Sequence, residues 1–313
     1  LMRKYYTRPC NFYYGNYASR LVKLKKALPL AGNNNIAFDK LEIFQRKKKG
    51  ITTSSIYSIE EAKKINKEVK NIVKKDLQNI TSKRKSISRL KFNNPLIMGV
   101  LNITPDSFSD GGLFFDKTKA YEQAKLMIND GASIIDIGGE STRPGSKLVN
   151  EKEEWNRVEK TIISLKKNFP NAILSLDTRK PYVMKKGTEY GIDIINDVSG
   201  LNFNKQSFEI IKSKNIPFIL HHMQGTPNTM QKNPKYNDAA LDIYDFFEKK
   251  INFCIKKKYK KDFIIIDPGI GFGKNLNHNL RIMSKISIFH SLGCPILIGT
   301  SRKRFIEHIV TKF

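Results

Sequence analysis

Residues 97–112 read IMGVLNITPDSFSDGG. Ile97 to Leu101 is apolar without alternation, as in a strand covered on both faces. The chain then changes character at Asn102 and runs through Thr104, Pro105, Asp106, Ser107, Ser109 and Asp110 to two glycines. Small polar residues with Pro and Gly mark a turn or loop. A buried strand that opens into such a loop is the first half of a βα unit, and the question is how often the pattern recurs.

It recurs along the rest of the chain. Apolar runs rich in Ile and Val follow at SIIDIGG (133–139), AILSLDT (172–178), DIINDV (193–198), PFILHHM (217–223), FIIIDPG (263–269) and PILIGTS (295–301). Between them lie amphipathic stretches such as KAYEQAKLMINDGA and EKEEWNRVEKTIISLKKNF. The alternation predicts parallel strands covered by helices, an α/β fold. Rhythm alone leaves a doubly wound sheet and a (β/α)8 barrel open. Polar residues at or just past the strand ends, namely Asn102, Asp136, Asp177, Asn196, His222, Asp267 and Ser301, favour the barrel, whose strand ends converge on one mouth. In a doubly wound sheet, strands far from the switch point contribute little.

Seven runs are countable, and RKRFIEHIVTKF, which follows the seventh, reads as the start of a helix. The expectation is therefore a barrel over 91–313 that lacks its eighth strand, a C-terminally cut chain of weak activity or poor solubility. Residues 1–90 form a basic extension. Within it, SIEEAKKINKEVKNIVKKDLQNI starts with Ser58 and Glu61 in capping-box spacing and predicts one amphipathic helix. NNNIAFDKLEIFQRKKKG predicts a strand or hairpin ending at Gly50. So small a core is not expected to fold alone, and the extension is expected to lie against the barrel.

The formal net charge is +27, and residues 1–90 carry 22 Lys/Arg against 6 Asp/Glu. Clustered cations can bind nucleic acid, but solvated lysines on exposed faces are the favoured account of the excess, and nucleic-acid binding through residues 1–90 is kept as an alternative of another class. Cys10, Cys254 and Cys294 suggest no disulfide framework. No run approaches a membrane span and the start lacks the apolar core of a signal peptide. The expected setting is cytoplasmic, with no membrane partner.

Asp136, Asp177, Asn196 and Asp267 offer three carboxylates and an amide at neighbouring strand ends. Rigidly held acceptors of this kind suit a flat heterocycle with ring N–H groups and an exocyclic amine, and Asn can serve as both donor and acceptor. Any one of these acids could simply cap the next helix. The loops around them, GGESTRPGS (138–146) with Arg143, DPGIGFGK (267–274) with Phe272 and Lys274, and GTSRKRF (299–305) with Ser301, Arg302 and Lys303, point instead to a ligand carrying an anion. His221 and His222 are adjacent on a strand and face opposite ways, so they make no metal pair. The other histidines, His278, His290 and His308, lack ligand spacing.

IMGVLNITPDSFSDGG, IIDIGGESTRPG, SLDT, IINDVSG, HHMQGTPNTMQ, DPGIGFGKN and GTSRKRF together resemble the signatures of the dihydropteroate synthase family, over about 92–308. That resemblance implies a (β/α)8 barrel that joins a dihydropterin diphosphate to p-aminobenzoate in folate synthesis. It implies that Asp136, Asp177, Asn196, Asp267 and Lys303 hold the pterin and that Met223 and Phe272 line the pocket. It further implies that Asn102 serves a Mg2+ and diphosphate site, that Thr142, Arg143, Pro144 and Ser301 shape the aminobenzoate pocket with Phe108 on its covering loop, and that Arg302 fixes these loops. Asp177, Lys303, Asn102 and Arg143 are the implied catalytic set, Mg2+ the implied cofactor and a homodimer the implied assembly of the full-length chain. The Arg-x-His motif of the family's eighth strand is not reached.

Two other readings stay on the table. A methyltransferase barrel shares the acid and Asn grip on a pterin but lacks reason for the STRPG, GFGKN and SRK loops. A non-catalytic pterin-binding paralogue would have no use for an intact LNITPDSFSDGG loop.

Overall fold

The computed structural model describes residues 4–47, 51–104, 117–141, 146, 148–227, 229–303 and 305–306. In chain order its elements are β1 (Tyr5–Tyr14), α1 (Gly15–Lys23), β2 (Leu28–Leu30), β3 (Asn33–Arg46), β4 (Thr52–Ser58), α2 (Ile59–Ala62), α3 (Lys67–Thr81), β5 (Met98–Asn102), α4 (Lys117–Asn129), β6 (Ile134–Gly138), α5 (Glu151–Asn168), β7 (Ile173–Asp177), α6 (Pro181–Glu189), β8 (Ile194–Asp197), α7 (Lys205–Ser213), β9 (Phe218–His221), α8 (Ala239–Lys256), β10 (Ile264–Asp267) and α9 (Leu276–Ser284), followed by a 3-10 segment (Ile286–Leu292). They form two compact units: residues 1–85, 234–257 and 274–313 make one, and residues 86–233 and 258–273 make the other.

The second unit is a parallel sheet. Its strands run β5-β6-β7-β8-β9-β10, each neighbour in space being the next in sequence. There is no switch point where the order reverses, so the doubly wound alternative is excluded for these strands. The side chains of β6, β7, β8, β9 and β10 are almost wholly buried, which is why the runs are apolar on both faces. Helices α4 to α7 follow the first four strands. Asn150 caps α5 by accepting the Glu153 N–H at 2.9 Å, Pro181 opens α6, and Asn204 caps α7.

Six strands form, not seven. Among the described residues PILIGTS (295–301) carries one isolated bridge position, Ile296, and no strand. An apolar run becomes a strand only where a neighbour completes its ladder, and Ile298 keeps 39 % of its surface exposed. Ser301 therefore lies in a turn and not at a strand end.

In the first unit, β3 is the long central strand of an antiparallel sheet. It pairs with β1 along one edge, from Tyr5↔Gln45 to Tyr14↔Ile36. Along the other edge it pairs with β2 and then with β4. Successive residues of β1 point to opposite faces. Tyr5 packs with Phe38, Leu41, Val69, Val73 and Ile80 in a core shared with α3. Tyr6, fully buried, meets Tyr244 of α8 edge-on at 5.2 Å. The extension thus carries more regular structure than its aromatic-rich start announced.

The helix expected from Ser58 onward is two helices. Ser58 and Glu61 form the capping box as expected, but the chain restarts at Asn66, whose side chain accepts the Val69 N–H at 3.1 Å. Asn is a strong N-cap and a mediocre interior residue, so it divides an otherwise continuous apolar stripe.

A polar cluster ties β1 and β3 to α8. Arg46 donates to Tyr6 Oη at 3.2 Å, to Asp242 at 2.7 Å and to Asp245 at 3.2 Å, while Tyr6 donates to Asp245 at 2.8 Å. The Arg46 side chain is 5 % exposed and its partners about a fifth. Arg46→Met removes one side of a largely buried network and is expected to cost about 2–4 kcal/mol. Tyr6→Phe, which loses hydrogen bonds alone, should cost about 1 kcal/mol. Urea denaturation of the two variants reads the difference.

Candidate functional site

Strand register builds the site. Asn102 pairs with Gly138, Gly138 with Asp177, and Asp177 with Asn196. Paired residues of parallel neighbours share a face, so four strands present these positions in one row at their C-terminal ends. One step deeper on the same face, Asp136 of β6 stands beside Ser175 of β7. On the far side His221 of β9 pairs with Asp267 of β10.

Two members of this set are bonded to each other. Asn196 Nδ2 donates to Asp136 Oδ2 at 2.8 Å, and both residues are more than nine-tenths buried. Their other oxygens, Asp136 Oδ1 and Asn196 Oδ1, are buried with no hydrogen-bond partner among the described residues, as is Ser175 Oγ. A buried polar atom left unpaired costs about 1–3 kcal/mol. Two adjacent orphaned acceptors therefore call for N–H donors from outside the chain.

The acids also feel one another. Burial pushes the Asp136 carboxyl up to about 6; its hydrogen bond from Asn196 pulls it down, and the charge of Asp267 raises it further. Asp177 is held well above the ordinary carboxylate range by burial first, then by Asp136, Glu154, Asp197 and Glu140. Carboxylates this close resist ionising together. A ligand that brings positive charge or several N–H groups would relieve them.

The turn after β10 is shaped by close approach. Asp267 Oδ1 accepts the Gly269 N–H at 2.7 Å. Gly269 has a positive φ of +66°, and a Cβ there would stand 2.0 Å from the His222 carbonyl oxygen. Only glycine fits. The turn carries Phe272 onto His221, ring against ring at 4.7 Å and nearly perpendicular. His221 Nδ1 lies 3.1 Å from the Val198 carbonyl and donates to it. The histidine is thus a platform for Phe272. Met223 is half-buried just past β9.

Just past the strand ends lies a charge cluster that the sequence did not single out. Glu140 takes Arg179 at 3.1 Å and Lys180 at 3.0 Å. Lys180 also pairs with Glu154 of α5. All four are more than nine-tenths buried. Glu140 further accepts the Val149 N–H at 3.2 Å, and Arg157 donates to the Gly139 carbonyl at 2.8 Å. The cluster locks the residues after β6 to those after β7. Its only trace in sequence is an acid two residues past one strand and two cations just past the next.

Asn102, Asp136, Asp177 and Asn196 thus share one face, with Asp267 near enough to act on Asp136. Ser301, Arg302 and Lys303 belong to the other unit, where Ser301 and Arg302 are exposed in a turn and Lys303 is half-buried. Phe108, Thr142, Arg143 and Pro144 lie outside the described residues. No helix among the described residues is long and apolar enough to cross a membrane.

Residues 98–313 match the family model of the pterin binding enzymes. The chain is 41% identical over 221 residues to the dihydropteroate synthase of Escherichia coli K12, covering 71% of this chain and 78% of that protein. Among solved structures it resembles the Yersinia pestis dihydropteroate synthase in a sulfonamide complex, with a TM-score of 0.67 and 40% identity over 71% of this chain and 80% of that one. It also resembles the Xanthomonas albilineans dihydropteroate synthase with 4-aminobenzoic acid, with a TM-score of 0.66 and 35% identity over 72% and 79%.

Asp136 makes stability depend on pH in a defined direction. Below about pH 4 its carboxyl is protonated in folded and unfolded chains alike and costs nothing. Above about pH 6 the folded chain must bury the charge. Stability should therefore fall between those values by roughly 3 kcal/mol on account of this group. Asp136→Asn is expected to melt higher than the parent at pH 7.5 and to show no such gain at pH 4, in thermal scans at the two values. Lys180→Met, which strands Glu140 and Glu154, should cost about 3–5 kcal/mol in chemical denaturation at pH 7.5.

Proposed function

The chain belongs to the dihydropteroate synthase family of pterin-binding enzymes, and on that footing we propose that it joins 6-hydroxymethyl-7,8-dihydropterin diphosphate to p-aminobenzoate, giving 7,8-dihydropteroate and pyrophosphate. The observation that carries the reading is the bonded pair of Asp136 and Asn196 with its two unpaired acceptor oxygens. The pyrimidine edge of a pterin offers adjacent ring N–H and amino donors, which such a pair can accept side by side. A site with this many buried acceptors rejects ligands that lack the donors.

Asp136, Asn196 and Asp267 take the donor edge, and the family resemblance assigns Lys303 to the pterin as well. Met223 and Phe272 flank the ring faces. Asp177 stands near the reacting end. The family resemblance assigns Thr142, Arg143, Pro144 and Ser301 to the aminobenzoate, Phe108 to the covering loop and Arg302 to fixing these loops. The six parallel strands in sequential order support their place in a (β/α)8 barrel, built on residues 91–313 with 1–90 as the extension. The family resemblance supports a cytoplasmic homodimer.

Magnesium is the cofactor this reading implies. The donors present fit it: Asn102 offers an exposed amide oxygen, a hard ligand. Among the described residues no group of three His, Cys, Asp or Glu could hold a metal ion unaided. Asn102 would therefore hold an ion that keeps its waters and is brought largely by the diphosphate. Bound there, magnesium neutralises charge on the leaving diphosphate.

The remaining work falls to the chain. The bond between the pterin methylene and the diphosphate oxygen breaks, and the electron pair leaves with pyrophosphate. The methylene carbon, conjugated to the ring, carries positive charge beside Asp177. That charge favours the ionised form of a carboxyl otherwise held up by burial, so Asp177 stabilises the transition state more than the ground state. The aminobenzoate nitrogen attacks the carbon and gives up one proton as the C–N bond forms. No covalent enzyme intermediate is needed, and the step requires that competing water be kept from the methylene carbon.

The test is a coupled assay of pyrophosphate release from the dihydropterin diphosphate with and without p-aminobenzoate. Release that depends on aminobenzoate, and a fall of about 100-fold or more in kcat for Asp177→Ala with a melting curve close to the parent's, is the expected outcome. Release by Asp177→Ala at the parent's rate would overturn the assignment.

A further inference from the structure

Gly138 stands between Asn102 and Asp177 in the registered row, and neither backbone nor packing explains it. Its φ is not in the left-handed region, unlike that of Gly269. A Cβ built on it would meet Asn102 Oδ1 at 3.4 Å and Asp177 Cβ and Oδ2 at 3.5 Å, all ordinary contacts. An alanine would therefore fit the folded chain. Glycine in a strand weakens it, and is kept where a bulge, a bend or a close approach needs it. Register on both sides of Gly138 is unbroken, so bulge and bend are absent. Among the described residues none makes that approach, so the space over Gly138 is open to a ligand.

We propose that Gly138 is the clearance residue of this site, and that the substrate carbon bearing the leaving group crosses over its Cα. This rests on the functional reading above and adds the path of the substrate through the row. A ligand with a donor-rich ring at one end and a diphosphate at the other cannot be laid down in any order. Asp136, Asp177 and Asp267 accept N–H groups and repel phosphate oxygens. Asn102 is the neutral member at the other end of the row, with an amide N–H to offer. Ring on the Asp177 side and diphosphate on the Asn102 side place the connecting carbon over the one position without a side chain. A methyl group there would push that carbon outward by about one bond length, ~1.5 Å, and a misplacement of ~1 Å can cost about 100-fold in rate.

The inference separates binding of the ring from binding of its substituent. The probes are pterin unsubstituted at C6 and 6-hydroxymethyl-7,8-dihydropterin diphosphate, their Kd values read by calorimetry on the parent chain and Gly138→Ala. The expected result is a Kd for the bare pterin within about threefold of the parent and a Kd for the diphosphate weakened about tenfold or more. The KM for p-aminobenzoate should stay within about threefold while kcat falls about 100-fold. Equal loss of both ligands, or parental behaviour toward both, overturns the proposal. Should Gly138→Ala not fold, the same clash is made from the ligand side: a dihydropterin diphosphate carrying a methyl group on the connecting carbon must bind the parent chain about tenfold or more weaker than the unbranched one. A parent chain that binds no pterin refutes the functional reading itself, whereas a parent active in pyrophosphate release alongside an unaffected Gly138→Ala refutes the clearance role alone.

Discussion

The hydrogen bond from Asn196 to Asp136 is the constraint around which this molecule is arranged. It spans two strands that are not adjacent, passing over β7, and it exists only because the parallel ladder fixes β6, β7 and β8 in register. In satisfying one oxygen of each partner it leaves the other oxygen of each unpaired in a place water enters with difficulty. The pair is thereby both a structural tie and an unfinished one. The strands beside it supply the rest of the acceptor set, and burial first, then neighbouring carboxylates, holds Asp136 and Asp177 above the ordinary carboxylate range.

That arrangement sets stability against function in a specific place. The carboxyls of Asp136 and Asp177 are costly to bury in charged form, and a chain selected for stability alone would replace them with amides or apolar residues. Just past the strand ends, the opposite solution is used. Glu140, Glu154, Arg179 and Lys180 are buried too, but each meets an opposite charge. Buried ion pairs add little net stability compared with apolar packing, so the cluster is better understood as fixing the geometry of the segments it joins.

Much of this was legible in the sequence, for reasons that can be named. Strands buried on both faces read as continuous apolar runs, and five of the six end in a polar residue that the alternation makes conspicuous. Asp136, Asp177, Asn196 and Asp267 could be grouped before any coordinates because their positions relative to the runs repeat. PILIGTS read as a seventh strand because hydropathy reports burial and not pairing. The helix after Ser58 read as continuous because the apolar period runs on through Asn66, and only the side chain's bond to Val69 N–H reveals the break. Glu140, Arg179 and Lys180 stayed hidden because a charge next to a turn is ordinarily solvated, and nothing local says otherwise. The extension was the least legible: its first strand pairs with β3 from Tyr5↔Gln45 to Tyr14↔Ile36, across a stretch of sequence that leaves no period to read.

The joining of β1 and β3 to α8 bears on how the polypeptide can be handled. The family-matching segment begins near residue 98, and it is tempting to treat what precedes it as a detachable leader. Yet Tyr6 caps the ring of Tyr244, Ser287 Oγ reaches the Pro9 carbonyl at 2.9 Å, and Arg84 grips the His290 carbonyl at 3.0 Å. A gene trimmed to the recognisable core would lay these contacts bare and turn the inner side of α8 and the 3-10 segment into an adhesive surface. Domain limits drawn from homology would here cut through a single hydrophobic interior.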